Sequence, residues 1–220
     1  MNAGFEPLPW PDNFTDWLNH RSEPTSMKDI AHSAIDAFKT CSNRTKFCDG
    51  QLDTLYLAAC HPRFVVWGVG LPLLAKLAET NRHAREKIVE LSRESKAEFR
   101  RRSIQYLNDR YSRSYCVSIL SRLLIDRSAK VKDVVAGRIG CLNLTELLPS
   151  IEQALAQEKE PAIQWSYAHV ISLMRDGYHY DVRGDGPTLW LYYPDLYPAS
   201  SLCVGDAQLR FERGENIDKI

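Results

Sequence analysis

The chain has 220 residues, with 28 basic and 28 acidic side chains and a formal net charge of zero. Hydrophobic residues make up 44% and charged residues 25%, a globular composition that excludes a disordered or low-complexity chain. No run approaches the roughly 18 apolar residues of a membrane span. The N-terminus lacks the basic and apolar regions of a secretory signal. We therefore expect a cytoplasmic protein without membrane association.

The motifs of metal, cofactor and catalytic sites are missing from the sequence. The six cysteines form no CxxC or CxxxC pair, so we expect reduced thiols and no zinc site. None of the six histidines lies in an HExxH, HxH or HxxxH pattern, and no Walker A, GxGxxG or GxSxG motif occurs. We expect no metal, no cofactor and no enzymatic activity.

The first 62 residues are predicted to form an irregular lead-in followed by capping helices. Prolines interleaved with aromatic residues in 1–24 predict a lead-in that packs against the body. Apolar residues at helical spacing predict a helix over 26–39. A second helix runs through 52–59 and ends near Pro62.

The next segment, 64–77, has a helical pattern of apolar residues interrupted by two glycines and a proline. Gly68, Gly70 and Pro72 fall inside this pattern. Because proline removes a backbone donor and glycine weakens a helix, we expect a kink or a break there.

Beyond residue 83, apolar residues recur at intervals of 32 residues. The matching rows are Ala84/Cys116/Leu148, Leu91/Leu123/Leu155, Phe99/Val131/Ile163, Ile104/Ala136/Ala168 and Leu107/Ile139/Ile171. Each unit contains two predicted helices, at 83–93 and 97–110, 113–125 and 129–141, and 144–157 and 161–175. Lys96, Ser128 and Glu160 precede the second helices. This period is typical of an α-solenoid, and the alternative is an irregular helical bundle.

The segment Asp126–Leu142 resembles the second helix of a HEAT or HEAT-like repeat, through Val131-Lys132, Ala136 and Ile139-Gly140. Leu147-Leu148-Pro149 resembles the first helix of such a repeat. The resemblance implies a mainly α fold, a right-handed HEAT-like α-α solenoid of about four helix pairs over 63–177. Such repeats mostly serve as binding scaffolds.

The segment 178–220 is predicted to be a small C-terminal β-hairpin appendage and tail. Residues 188–193, 201–204 and 207–212 have β-forming patterns, and Gly205-Asp206 favours a tight turn. The appendage either caps the open end of the solenoid or contacts a partner. Just before it, Tyr178–Asp181 is either a packed aromatic junction or an acid/base cluster.

The zero net charge conceals a basic centre. Residues 82–138 hold 15 basic and 7 acidic residues, a net charge of +8, whereas 1–81 carries −2 and 139–220 carries −6. A basic stripe binds phosphate backbones or an acidic protein surface, or it pairs with its own acidic neighbours. All three alternatives remain open from the sequence.

Second helices usually line the concave face of a solenoid, so their residues outside the core stripe are candidate binding residues. Trp165 stands out because the apolar side of its helix is formed by other residues; it either anchors a partner or packs beneath the β element. The predicted partner-binding residues are Arg101, Arg102, Gln105, Asp133, Trp165, His169, Tyr178, His179, Trp190 and Tyr192.

These features predict a non-enzymatic protein-binding scaffold, most concretely an immunity or antitoxin-type protein that neutralises a cognate protein toxin through its concave face. The alternative is a nucleic-acid-binding protein resembling the HEAT-like alkylpurine DNA glycosylases, in which Trp165 and Asp133 would serve a lesion site. A third possibility is an enzyme-subunit adaptor, or a lyase-type scaffold for a chromophore or small ligand.

Overall fold

The computed structural model describes residues 13–42, 49–181, 188–191 and 201–203. This part of the chain is mainly helical, with ten α-helices and three short β-strands. The chain forms two compact units, residues 1–111 and residues 112–220. No helix in the described ranges combines the length and apolar character that crossing a membrane would require.

The described part of the first unit contains six helices, of which the fourth is the most buried. The helices are α1 (Phe14–Asn19), α2 (Thr25–Ser42), α3 (Asp49–Ala59), α4 (Phe64–Ala78), α5 (Arg82–Leu91) and α6 (Ala97–Gln105). Helix α4 packs against α2, α3 and α5, and eleven of its fifteen residues are buried. A helix that is apolar on nearly every side must lie in a core, which is why α4 occupies the centre.

The predicted break in α4 does not occur, since the helix runs from Phe64 to Ala78 with Pro72 inside it. Gly70 has a packing role instead. A Cβ atom on Gly70 would lie 2.5 Å from the Cβ of Ala58 and 2.8 Å from its carbonyl carbon, so only glycine lets α3 approach this closely. Burial on nearly all sides holds the helix together despite its three weak helix formers, Gly68, Gly70 and Pro72.

Helix α6 ends at Gln105, whereas the apolar pattern predicts a helix to residue 110. The pattern continues because the following irregular segment is also buried. Leu107 is 1% exposed, and the hydroxyl of Tyr111 donates a 2.6 Å hydrogen bond to the carbonyl oxygen of Ala75 in α4. Tertiary packing, not helical periodicity, places these apolar residues.

The described residues of the second unit form four α-helices and a small sheet. The helices are α7 (Arg113–Leu123), α8 (Ala129–Cys141), α9 (Leu148–Gln157), which follows a 3₁₀ turn at Thr145–Leu147, and α10 (Pro161–Asp176). The strands are β1 (Tyr178–Asp181), β2 (Thr188–Leu191) and β3 (Ser201–Cys203). Helix α10 packs against α8, α9 and β1.

The three strands form an antiparallel sheet in the order β1-β2-β3. Gly177 ends α10 with a φ of +79°, a left-handed cap that lets the chain reverse from the helix into β1. Strand β1 was not predicted, because its four residues show no alternation long enough to signal a strand. The predicted segment 207–212 and the turn before it lie outside the described residues.

The second helices begin where the 32-residue pattern predicts. Lys96, Ser128 and Glu160 are the N-cap residues of α6, α8 and α10. Pro161 occupies the first turn of α10, where its missing N–H has no helical acceptor to lose. The recurring apolar rows supply core positions in each unit, since Leu91 and Ile104 in the first unit and Val131, Ala136, Ile139 and others in the second are buried.

Candidate functional site

Helix α10 brings two of the predicted binding residues into direct contact. Trp165 and His169 are four residues apart, and the 3.6-residue period places them on the same face of the helix. Their rings stack, with centroids 4.8 Å apart and an interplanar angle of 17°. The helix itself therefore sets the orientation of the indole.

His179 of β1 completes a three-ring group. Its imidazole lies 4.7 Å from that of His169 and 5.9 Å from the indole of Trp165, at interplanar angles of 82° and 81°. The reversal at Gly177 returns the chain so that β1 packs against α10. We call Trp165, His169 and His179 the Trp–His cluster.

The Trp–His cluster has one buried ring, that of His169, and two partly exposed rings. His169 is 9% exposed, whereas Trp165 and His179 are both partly exposed. Each ring contacts the other two, so the indole is held in one orientation before any ligand arrives. A large aromatic surface of this kind suits an anchor for a binding partner.

A carboxylate on the neighbouring helix is fixed beside this group. Asp133 of α8 is exposed, and its Oδ1 accepts a 2.6 Å hydrogen bond from the hydroxyl of Ser166, the residue that follows Trp165. Ser166 itself is buried and was not predicted as a site residue. In the sequence, Ser166 is distinguished only as a small residue. The structure shows that it lies on the side of α10 that faces α8. Asp133 is thereby joined to the residue that follows Trp165.

The three candidates in the first unit have different surroundings. Arg101 is partly exposed, and two of its nitrogens donate to the carboxylate of Glu98 at 3.1 and 2.8 Å. Gln105 is the last residue of α6 and is partly buried.

Arg102 is a packing residue of the first unit, since it is only 3% exposed and not on the surface as the basic-stripe interpretation requires. Its Nη1 donates to the carbonyl oxygens of Ala59 and His61, each at 2.9 Å, where α3 ends. Its Nε donates to Glu98 at 3.2 Å, and its guanidinium lies 4.3 Å from the ring centroid of Trp67. Burial lowers the pKa of Arg102, although Glu98 opposes this.

Many of the central basic side chains bond groups of the protein itself. At least nine of the 15 basic side chains between residues 82 and 138 bond a carboxylate or a backbone carbonyl: Arg82, Arg85, Lys87, Arg100, Arg101, Arg102, Arg110, Arg113 and Lys132. Those that pair with a carboxylate offer less net charge to an external phosphate.

The remaining candidates belong to the C-terminal segment. Tyr178 begins β1, and the sheet register places Trp190 of β2 opposite His179. The side chains of Tyr178 and Trp190 are not described, and Tyr192 lies outside the described residues. The register nevertheless brings a fourth predicted residue to the strand position next to the Trp–His cluster.

The described residues contain no group of three or more histidine, cysteine or acidic side chains able to hold a metal ion. Cys41, Cys60, Cys116 and Cys141 are free thiols. Burial raises the pKa of the Cys116 thiol to about 11 and also raises the pKa of Cys141. The chemistry that the cluster offers is ring stacking, apolar contact and imidazole hydrogen bonding.

Comparison with known proteins identifies no relative of this chain. No protein-family model matches it, and neither does any curated protein or solved structure. The function must therefore be argued from the residues themselves.

Proposed function

We propose that the chain is a non-enzymatic protein-binding scaffold whose partner docks on the Trp–His cluster. The most concrete form of the proposal is an immunity or antitoxin-type protein that neutralises a cognate protein toxin. The observation that carries it is the stacked, partly exposed indole of Trp165, held by His169 and His179.

We further propose that the helix pairs are HEAT-like repeats, stacked as a solenoid. The 32-residue spacing of the N-cap residues Lys96, Ser128 and Glu160 supports this interpretation. In the second unit, α7 pairs with α8 and α9 pairs with α10, while the two second helices α8 and α10 also contact each other. Repeats of this kind present their second helices as a binding face.

The Trp–His cluster has the composition of an interface hot spot. Interface hot spots are enriched in tryptophan. The residues around them contribute little binding energy but exclude water from the contact. Trp165 supplies the anchor, and exposed Asp133 supplies a charged group at its side. Because the indole is already ordered, Trp165 loses less side-chain entropy when a partner binds there.

Protein binding is favoured over nucleic-acid binding by the charges around the candidate residues. Asp133 accepts from the residue next to Trp165, so a phosphate backbone docked there would meet a carboxyl group. In the second unit, Arg113 and Lys132 are paired with Glu146 and Glu158. A basic or mixed protein surface fits this environment better than a phosphate backbone does.

The experiment is affinity purification of the tagged full-length chain from its native cells, at matched expression, for the natural protein and two variants. Trp165→Ala removes the proposed anchor. Leu57→Ala is the matched control, because Leu57 is an apolar residue of α3 that is 67% exposed and belongs to the first unit. Circular dichroism and thermal unfolding establish that both variants are folded.

We expect the natural chain and Leu57→Ala to retain one stoichiometric protein, and Trp165→Ala to lose it. Release of that protein's toxicity in cells that carry Trp165→Ala would identify it as the neutralised toxin. Recovery of nucleic acid alone would contradict the proposal, and so would equal retention of the partner by a folded Trp165→Ala variant.

A further inference from the structure

The second unit brings its two histidines into contact with each other. Residues 112–220 contain only His169 and His179, and the other four of the six histidines precede them in the first unit. The imidazoles of His169 and His179 lie 4.7 Å apart between ring centroids, at an interplanar angle of 82°. We call these two residues the histidine pair.

The histidine pair joins α10 to the sheet. His169 belongs to α10 and His179 to β1, and the backbone of β1 pairs with that of β2. Helix α10 packs directly against β1. The link between the helix and the strands therefore includes the contact between the two imidazoles.

Histidine is the residue type that changes its charge between pH 7.5 and pH 5.5. An isolated imidazole has a pKa of about 6.5, whereas carboxyl groups titrate at about 4 and thiols, phenols and amines of side chains above about 8. The other types of side chain thus keep a nearly constant charge in this range. A response of the second unit to these pH values is therefore assigned to the histidine pair.

Charged groups on the elements around the histidine pair form a constant background in this range. Helix α10 packs against α8, α9 and β1, and β2 carries no charged residue. The charged residues of the other four elements are Lys130, Lys132, Asp133 and Arg138 of α8, Glu152 of α9, Arg175 and Asp176 of α10, and Asp181 of β1. Lys132 pairs with Glu158, and Arg175 pairs with Glu152. The carboxylate of Asp133 accepts a hydrogen bond from α10.

The Trp–His cluster accommodates a first proton in its closed arrangement. An imidazolium ion at His169 would lie on the face of the Trp165 indole, 4.8 Å away between centroids, and such a face attracts a cation. This attraction opposes the cost of placing a charge on His169, which is only 9% exposed. One positive charge therefore leaves the rings in contact.

A second proton opposes the closed arrangement. Two imidazolium ions with ring centroids 4.7 Å apart repel each other, and partial burial weakens the screening of that repulsion by water. While the rings stay in contact, uptake of the second proton requires a lower pH than an isolated imidazole does. Separation of the rings removes this requirement.

We infer that the histidine pair is a pH-sensitive link between α10 and β1, closed while it holds at most one proton and opened by the second. The four-residue strand is the part that moves, since the sixteen-residue helix is also packed against α8 and α9. Because the open state binds the second proton more tightly, closure is fully favoured above about pH 6.5. At lower pH its equilibrium constant falls by up to about ten-fold per pH unit.

The link is a property of the chain alone, whereas its consequence for binding rests on the proposed function. His179 is one wall of the Trp–His cluster, so opening would remove support from the Trp165 indole and weaken the binding of a partner docked there. A measurement without the partner separates the two claims. The link can fail while docking at Trp165 holds, and docking can fail while the link holds.

The test is hydrogen–deuterium exchange of the full-length chain, without a partner, at pH 7.5, 6.5 and 5.5. Protection factors for residues 177–181 are corrected for the intrinsic effect of pH on amide exchange. We expect protection of this segment to be at least about four-fold lower at pH 5.5 than at pH 7.5. Imidazole NMR signals over a wider pH range should show two separate protonation steps for the pair.

Two variants remove one titrating ring each, and one variant is the control. In His179→Gln, protection of 177–181 should change less than about two-fold over the three pH values, and His169 should titrate in a single step. His169→Gln makes the same prediction from the helix side, and it decides the test where His179→Gln leaves β1 undocked at pH 7.5. His83→Gln alters an exposed histidine of the first unit and should keep the natural response.

Three results would overturn the inference. The first is protection of 177–181 that is the same at pH 7.5 and pH 5.5 in the natural chain. The second is a natural pH response in a variant that lacks one ring of the pair and keeps β1 docked. The third is titration of both imidazoles together at the ordinary value of about 6.5 while β1 stays protected.

Discussion

The indole of Trp165 stacks on the imidazole of His169 one helical turn away, with 4.8 Å between the ring centroids. The same imidazole meets His179 edge to face on β1, so a helix and a strand fix one ring between them. A side chain held in this way has little rotational freedom left to lose on binding. That property, combined with partial exposure, separates Trp165 from an ordinary surface tryptophan.

Gly70 should tolerate no side chain. Gly70→Ala places a methyl group 2.5 Å from the Cβ of Ala58, so we expect a loss of about 1–3 kcal/mol in the free energy of unfolding through overpacking. Gly50→Ala is the control, because its added Cβ meets nothing within 4 Å in α3; it should be neutral or stabilising by up to ~1 kcal/mol. Urea denaturation measures both, and equal stability of the two variants would contradict the close approach of α3 and α4.

Arg101 and Arg102 are adjacent and share Glu98, yet they should differ sharply in their effect on stability. Arg102→Met removes the donor to the carbonyl oxygens of Ala59 and His61, so about 2–4 kcal/mol should be lost. Arg101→Met breaks only a partly exposed ion pair and should cost less than about 1 kcal/mol. A similar cost for both variants would show that the burial of Arg102 has no energetic consequence.

Cys116 should be the least reactive of the described thiols. It is 2% exposed, and burial raises its pKa to about 11, so at pH 8 only about 0.1% of it is thiolate. Timed alkylation with iodoacetamide, followed by peptide mass spectrometry, should modify partly exposed Cys41 well before Cys116. Modification of both at the same rate in the folded protein would argue against this core position.

Glu158 should stabilise the second unit in a pH-dependent way. Its side chain pairs with Lys132 and accepts from the backbone N–H groups of Lys159 and Glu160 at 2.9 and 3.0 Å, so its pKa is lowered. A lowered pKa in the folded state gives stability that is present above the unfolded pKa of about 4.3 and is lost as the pH falls through the folded pKa.

Glu158→Gln should therefore be less stable than the natural chain at pH 7, and the difference should shrink once the pH falls below about 4.3. Glu160→Gln is the matched control, since Glu160 is exposed and contributes its backbone to the cap. Thermal unfolding across this pH range measures the difference. If the difference in stability between Glu158→Gln and the natural chain did not change with pH, the ionised carboxylate would not be the source of that difference.

The sequence predicted those helix starts that are marked by N-cap residues and apolar spacing. The starts of α6, α8 and α10 follow from N-cap positions and apolar rows that depend on nearby residues only. The uninterrupted α4 could not be predicted, because Gly70 and Pro72 are weak helix formers whose cost is offset by burial in the unit core. The end of α6 was missed for the same reason, as Leu107 is buried by tertiary contacts.

The candidate site shows the same division. Helical periodicity indicated that Trp165 and His169 share a face, whereas the approach of His179 depends on the reversal at Gly177 and on the unpredicted strand β1. Arg102 is a case in which the sequence pattern suggested the wrong environment. A run of arginines suggests a charged surface, yet Arg100 and Arg102 are both buried, and the bonds of Arg102 to the end of α3 become visible only in the structure.

The most direct measurement of the central claim is the affinity of the purified partner for the Trp165→Ala variant, relative to the natural chain and to Leu57→Ala. Removal of a hot-spot tryptophan costs at least about 2 kcal/mol, so the dissociation constant should rise at least about 30-fold. His179→Ala, which removes one wall of the Trp–His cluster, should give a smaller increase, and Leu57→Ala should change the constant less than two-fold. An unchanged affinity in a folded Trp165→Ala variant would contradict the claim that the Trp–His cluster is the partner-binding surface.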